Sequence, residues 1–330
     1  MRQRAVGKSG LVVSLVALGA SNFGGRLDSS AARSVIGKAL DLGVTLFDTA
    51  EAYAKGRSEQ LLGEVLGSNR KDVVIATKWG NFNHGGWSAE PATDIRGGSR
   101  AYIMKAVEES LRRLNTDYID LYQLHMPDDR TPVAETLTAL DSLIRQGKIR
   151  YAGVSNMPAW QIVEAQLVAR QLGCQELVSF QAPYSLLSLD VEDTHIPAAQ
   201  RYGLGLLAYQ PLAEGLLTGK YRHDGPVPEG SRLATWPRMR QRSVNDANWE
   251  KVAILAASAE RSGHSLLEIA MSWLAAKEAV SSIIVGATTP AQVEQNIAAA
   301  LAPVPDEVLA DIDRLIRPGG KETMRGQQRP

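Results

Sequence analysis

Short apolar runs rich in β-branched residues alternate along the chain with longer stretches whose apolar positions recur every three or four residues. The short runs are Val16–Gly19, Val44–Asp48, Val73–Lys78, Tyr118–Gln123, Ile149–Ser155, Leu177–Gln181, Leu204–Tyr209 and Ser282–Val285, and they read as strands. The longer stretches include Ser30–Leu42, Ser99–Leu114, Pro132–Gln146, Pro158–Leu172 and Pro290–Ala300, and they read as amphipathic helices. Strand followed by helix, repeated, predicts right-handed βα units. Eight such units in about 300 residues suit a (β/α)8 barrel, the TIM-barrel form of an α/β fold, better than an open doubly wound sheet. Ahead of the first strand, RAVGKSGLVVS reads as a β-hairpin with Lys8, Ser9 and Gly10 at its turn.

Two segments interrupt the repeat, Asn81–Gly98 after the third strand and Tyr221–Ser243 after the seventh. Loops this long in a compact domain usually serve function, and both leave the C-terminal face of the expected barrel. Phe82, His84, Trp87 and Trp236, together with Phe23, are therefore candidates for a substrate pocket. From Arg317 onward the apolar periodicity is lost, so residues 1–316 read as a single barrel domain and 317–330 as a mobile tail.

The strand ends carry chemistry. Asp48 and Tyr53 lie in LFDTAEAY, Lys78 in VVIATKWG and His125 in YIDLYQLHMPD, each just past an apolar run. Barrel enzymes keep their catalytic groups in that position. A tyrosine, with an ordinary pKa of about 10, is a weak proton donor near neutral pH unless a neighbouring ammonium favours its phenolate. Lys78 can supply that charge, Asp48 can keep the lysine charged and fixed, and His125 can donate a hydrogen bond to a carbonyl oxygen as negative charge develops there. The set is what carbonyl reduction needs. Hydride transfer is beyond side chains, so a nicotinamide or flavin has to accompany it. Gly203, Gly205 and Ala208 match G-x-G-x-x-A, but they precede or form a strand and open no helix, so the dinucleotide fingerprint is not usable here.

These residues resemble the aldo-keto reductase family over nearly the whole chain, in the branch that includes potassium-channel β-subunit-like proteins. The resemblance rests on GKSGLVVSLVALG, FDTAEAYAKGRSE, the ATK and LYQLH strand ends, GVSN, AYQPLAEGLLTGK and VGATTPAQVEQN, all in that family's order. It implies a barrel closed at its base by the N-terminal hairpin. It also implies Tyr53 as general acid, tuned by Lys78 and Asp48, and His125 as the residue that orients the carbonyl. By the same resemblance Gly19, Ala20, Ser21 and Asp48 lie at the cofactor, Ser155, Asn156 and Gln181 hold the nicotinamide carboxamide, and Tyr209 stacks on the ring. Gln210, Pro211, Leu212, Gly215, Leu217 and Lys220 would wrap the pyrophosphate. Gly286, Thr288 and Gln292 would meet the ribose 2′ substituent, and Gln295 and Asn296 the adenine.

Many relatives place Lys or Arg near Thr288 or Gln292, and this chain has neither there, which makes Arg232 the candidate cation for a 2′-phosphate. NADP(H) is favoured, with NAD(H) as the alternative. The implied activity is reversible reduction of an aldehyde or ketone. The alternatives are an NAD-linked alcohol dehydrogenase and a regulatory subunit that binds NADP(H) without turnover.

Composition narrows the partners. Thirty-six basic residues balance thirty-six acidic ones, so no net field draws in nucleic acid or an anionic membrane. The N-terminus lacks an apolar signal core and no run reaches membrane-spanning length, which makes the cytoplasm the expected location. Cys174 is the only cysteine, so no internal disulfide forms. A metal hydrolase using Asp48, Glu51 and His125 is disfavoured, because no H-x-H or similar ligand pair occurs. The expected partner is a small carbonyl or alcohol substrate, and homo-oligomerisation is left open.

Overall fold

A computed structural model of the chain describes residues 1–81, 97–223, 225–236, 240–241 and 243–317. Two antiparallel strands open it, β1 (Gln3–Ala5) and β2 (Val12–Ser14), in the register Gln3 to Ser14 and Ala5 to Val12. Eight parallel strands then close into a barrel: β3 (Val16–Gly19), β4 (Leu46–Asp48), β5 (Val74–Trp79), β6 (Ile119–Leu124), β7 (Ile149–Ser155), β8 (Ser179–Pro183), β9 (Gly205–Tyr209) and β10 (Val280–Gly286). β10 pairs with β3 to complete the ring. The expected (β/α)8 barrel is thus the architecture observed.

Crossover helices follow the strands: α1 (Ser29–Asp41), α2 (Arg57–Leu66), α3 (Arg100–Leu114), α4 (Val133–Arg145), α5 (Ala159–Leu172) and α6 (His195–Tyr202). Their limits are set by local chemistry. Asp28 caps α1 by accepting from the Ala31 N–H, and Ser99 caps α3 by accepting from the Tyr102 N–H. Pro132 and Pro158 stand immediately before α4 and α5. Asn115 and Gly173 end α3 and α5 in the left-handed conformation. Helix α2 was not singled out in the sequence, yet it buries Leu61, Leu62 and Leu66.

The described chain forms two compact units. The first, residues 1–184, 189–211 and 277–297, contains the hairpin and the complete barrel. The hairpin plugs the barrel floor: Val6, Leu11 and Val13 are buried in one apolar cluster with Ala17, Leu46, Ala76, Leu121, Leu207 and Ile284. Its turn is seated at the start of β9, where the Lys8 N–H donates to Gly203 O at 2.9 Å. Gly7 has φ +58°, and a Cβ there would lie 2.2 Å from Gly203 O, so this approach requires glycine. The closed floor leaves the C-terminal strand ends as the place for a site.

The second unit, residues 185–188, 212–276 and 298–330, contains α7 (Arg232–Thr235), α8 (Asp246–Arg261), α9 (Leu266–Ala276) and α11 (Asp306–Leu315). Helix α10 (Pro290–Ala300) precedes α11. In this unit the buried Trp273 indole donates to Asp313 Oδ1 at 2.8 Å and the Ser272 hydroxyl to Ala299 O at 2.9 Å. Among its described residues, the segment 221–243 includes a helix of its own, α7. Phe82, His84, Trp87 and the tail from residue 318 lie outside the described residues. Among the described residues, no helix is long and apolar enough to cross a membrane.

Candidate active site

The barrel brings Asp48, Lys78, His125 and the Tyr53 turn to one end. Asp48 is the last residue of β4, Lys78 the last but one of β5, and His125 follows β6. Tyr53 opens a short 3₁₀ turn in which Ala54 and Lys55 adopt left-handed φ values of 46° and 56°. That turn is fixed from below, because the Glu51 N–H donates to Lys78 O at 3.0 Å and Tyr53 N to Ala50 O at 3.0 Å.

Lys78 is wholly buried and Asp48 is 3 % exposed. The Lys78 ammonium donates to Asp48 Oδ1 at 2.8 Å, to Asp48 Oδ2 at 2.7 Å and to Thr49 O at 2.9 Å. Burial alone pushes the Lys78 pKa down, but the Asp48 carboxylate and the hydrogen-bonded Tyr53 hydroxyl hold it above the ordinary lysine value. The ammonium lies 5.2 Å from the Tyr53 ring centroid. His125 meets the same ring edge to face at 5.7 Å and 86°. The His125 N–H is anchored on Trp79 O at 2.8 Å, and its carbonyl accepts from Asn156 Nδ2 at 3.0 Å.

Asp48 has another partner that sequence spacing did not suggest. Gln181 Nε2 donates to Asp48 Oδ1 at 2.8 Å across 133 residues of chain. Gln181 lies two residues before the end of β8, and its backbone oxygen accepts from the Ser155 hydroxyl at 3.1 Å and from Asn156 N at 3.1 Å. Asn156 adopts φ 57°, a conformation asparagine tolerates better than most residues. Its Nδ2 donates to the Ser155 hydroxyl at 3.1 Å, and its Oδ1 accepts from the Tyr209 hydroxyl at 2.6 Å. A continuous set of hydrogen bonds thus runs from Lys78 through Asp48, Gln181, Ser155 and Asn156 to Tyr209. The Tyr209 ring, half-buried at the end of β9, is held by its hydroxyl.

The other candidate cofactor residues of the barrel unit fall in two groups. Gly19, Ala20 and Ser21 follow one another out of β3. A Cβ on Gly19 would meet Ile284 Cγ2 at 3.0 Å, and Ala20 is buried with its N–H on Asp48 O at 2.8 Å, whereas Ser21 is exposed. Gly19 and Ala20 therefore knit strand ends together. At the end of β10, Gly286 is exposed, and a Cβ there would meet only Asn22 Nδ2, at 3.7 Å. Thr288 donates to Gln292 Oε1 from both its N–H (2.8 Å) and its hydroxyl (3.1 Å), so the Gln292 side chain folds over the start of α10. Gln295 is exposed and Asn296 is buried. Phe23 is fully buried. Gln210, at φ 54°, and the buried Pro211 close this unit's segment after β9.

In the second unit Ala213, Glu214 and Gly215 take left-handed φ values of 46°, 58° and 95° in succession. Glycine suits position 215 because its φ of 95° is one that side-chain-bearing residues rarely adopt. Leu217 is buried, Leu212 partly so, and the exposed Lys220 holds its ammonium 5.0 Å from the Tyr221 ring centroid. Arg232, the candidate 2′-phosphate cation, is ion-paired with the buried Glu214. Trp236 is 49 % exposed.

Two side chains at the end of β5 lacked an assigned role. Glu51, weighed in the sequence only as a metal ligand, accepts from Gly80 N at 2.7 Å and from the Tyr102 hydroxyl at 2.9 Å. An acid between two catalytic candidates was the available signal. Asn81 is buried, neither of its side-chain polar atoms has a hydrogen-bond partner among the described residues, and nothing in its local sequence marks it.

Comparison with known proteins agrees with this geometry. The sequence profile of the Aldo/keto reductase family matches residues 15–317. A protein of Arabidopsis thaliana named "Probable voltage-gated potassium channel subunit beta" is 37 % identical over 308 residues, covering 91 % of both chains. A protein of the same name from Oryza sativa subsp. japonica is 38 % identical, covering 98 % of this chain and 99 % of its own. On this match across nearly its full length, the chain belongs to the aldo/keto reductase family.

Proposed function

We propose that the chain is an NAD(P)H-dependent oxidoreductase that reversibly reduces an aldehyde or ketone, with residues 1–316 serving as one functional domain. One observation carries this reading: a fully buried ammonium, held by both oxygens of Asp48, stands 5.2 Å from the Tyr53 ring, with His125 against that ring. A bound nicotinamide supplies the hydride. Tyr53 delivers the proton to the carbonyl oxygen, and the adjacent Lys78 charge makes the phenol a better donor. His125, fixed through its backbone at both N–H and carbonyl, orients that oxygen.

The residues present suit a dinucleotide. Tyr209 offers an anchored aromatic face for the nicotinamide, and Ser155, Asn156 and Gln181 lie beside it for the carboxamide. Gln210, Pro211, Leu212, Gly215, Leu217 and Lys220 would take the pyrophosphate. Gly286, Thr288 and Gln292 at the start of α10 would receive the ribose 2′ substituent, with Gln295 and Asn296 at the adenine. NADP(H) is favoured over NAD(H), with Arg232 exchanging Glu214 for the 2′-phosphate. Phe23 and Trp236 remain candidates near the substrate, and Asn81 joins them.

Titration with NADPH and then NADH, followed by quenching of tryptophan fluorescence, tests the cofactor. Tighter NADPH binding that is lost in Arg232→Met supports the assignment, and quenching by neither nucleotide removes it. The names of the two plant relatives favour a second reading, in which the chain binds nucleotide as a subunit of a potassium channel. Nucleotide binding without turnover across a panel of aldehydes and ketones would favour that reading.

A further inference from the structure

Glu51 sits between Asp48 and Tyr53 in the chain and is bonded to the end of β5. Its backbone N–H donates to Lys78 O at 3.0 Å. Its Oε1 accepts from Gly80 N at 2.7 Å, two residues beyond Lys78, and from the Tyr102 hydroxyl at 2.9 Å in the first turn of α3. One residue therefore ties the Tyr53 loop, the Lys78 strand and the start of α3 together.

The surroundings do not favour a negative charge. Glu59 on α2 is fully buried and engages the Arg113 guanidinium of α3 at 2.6 Å and the Thr77 hydroxyl of β5 at 2.6 Å. Tyr122 of β6 is fully buried and stacks on Trp79 at 4.4 Å. Burial pushes the Glu51 carboxyl up to about 7. The hydrogen bonds from Gly80 and Tyr102 and the charge of Arg113 oppose that rise, and Glu59 adds to it. Burial and Glu51 push both Tyr102 and Tyr122 above the usual tyrosine range, with Glu109 contributing at Tyr102 and Glu59 at Tyr122.

We propose that Glu51 is a positioning residue that fastens the Tyr53 loop to the strand end carrying Lys78. Its effect on turnover rests on Tyr53 being the proton donor, whereas the fastening itself does not. A neutral carboxyl keeps Oε1 as an acceptor for both donors, and glutamine keeps the same acceptor without the charge.

The test is hydrogen exchange at the Gly80 amide between about pH 5 and 9, corrected for the intrinsic rate, in the nucleotide-free protein. In Glu51→Gln protection of the Gly80 amide stays close to that of the wild type. In Glu51→Ala it is lower by about fivefold or more at every pH, as expected for one lost hydrogen bond. Tyr102→Phe, which keeps Glu51 and its bond to Gly80, lowers protection less and serves if Glu51→Ala fails to fold. Steady-state turnover of an aldehyde by Glu51→Ala shows kcat reduced on the order of ten- to a hundredfold with nucleotide KM unchanged, and Glu51→Gln recovers most of it. Gly80 as protected in Glu51→Ala as in the wild type overturns the proposal, as does an unchanged kcat in Glu51→Ala. The expected exchange pattern in a protein that turns over no carbonyl supports the fastening and refutes the reductase reading instead.

Discussion

Replacing Asp48 with leucine tests the physical core of the site. The change removes both acceptors of a wholly buried ammonium and leaves Lys78 with Thr49 O at 2.9 Å and Tyr53 as its partners. It also strips Gln181 Nε2 of its acceptor. Breaking a buried pair from one side costs about 3–5 kcal/mol, because an uncompensated charge stays behind. That is a large share of the roughly 5–15 kcal/mol that holds a typical domain folded.

The pH dependence has a defined sign. In the wild type the Lys78 pKa is raised, so its contribution to stability is complete below the ordinary lysine value and is lost only as pH climbs through the higher folded value. In Asp48→Leu the influence of burial is left largely unopposed, Lys78 sheds its proton more readily, and the penalty shrinks as pH rises. The double variant Asp48→Leu/Lys78→Met replaces the pair with apolar side chains and is expected to be more stable than Asp48→Leu alone. Urea midpoints of the four proteins at pH 6 and 9 measure this cycle. A loss of less than about 1 kcal/mol in Asp48→Leu, or a double variant whose loss equals the sum of the singles, would refute the reasoning.

Further outcomes follow from the same physics. The Glu51 carboxyl rises from 4.5 to about 7 on folding, so its contribution to stability is complete below 4.5 and lost as pH climbs through 7. Glu51→Gln should therefore match the wild type in thermal stability near pH 4 and exceed it at pH 8.5 by at most about 3.4 kcal/mol, and a gap independent of pH would count against this. Gly63→Ala places a Cβ 2.3 Å from Leu114 O between α2 and α3 and should cost about 1–3 kcal/mol in urea despite the better helix propensity of alanine, a forecast that a neutral result would sink. Gln181→Leu removes one charge-assisted bond to Asp48 but leaves Lys78 bound to both oxygens, so the loss should be about 1.5–3 kcal/mol. A loss as large as that of Asp48→Leu would show that Gln181 does more than donate one bond.

The barrel was legible because its strands are covered on both faces and stand out as apolar runs. Most observed limits fall within two residues of those read from the pattern. β4 starts later, at Leu46, because Val44 N returns to Ala39 O, Thr45 N donates to the Ser14 hydroxyl and the Thr45 hydroxyl accepts from Ser14 N. The hairpin was legible from its turn, and its core residues Val6, Leu11 and Val13 alternate with exposed ones only in part. The partners of the site were not legible. Gln181 reaches Asp48, Tyr102 reaches Glu51 and Arg232 pairs with Glu214, and nothing in local periodicity encodes which strand ends meet around a closed ring. Arg232 shows the consequence: from sequence it is a spare cation, whereas in the fold it is committed to a buried carboxylate.

Rapid mixing of the NADPH-saturated protein with an activated aromatic aldehyde, following the loss of nicotinamide absorbance in the wild type and in Tyr53→Phe, tests the central assignment most directly. The account predicts oxidation matched by alcohol formation in the wild type, and a rate at least about a hundredfold lower in Tyr53→Phe with nucleotide binding retained. Equal rates in the two proteins would contradict it.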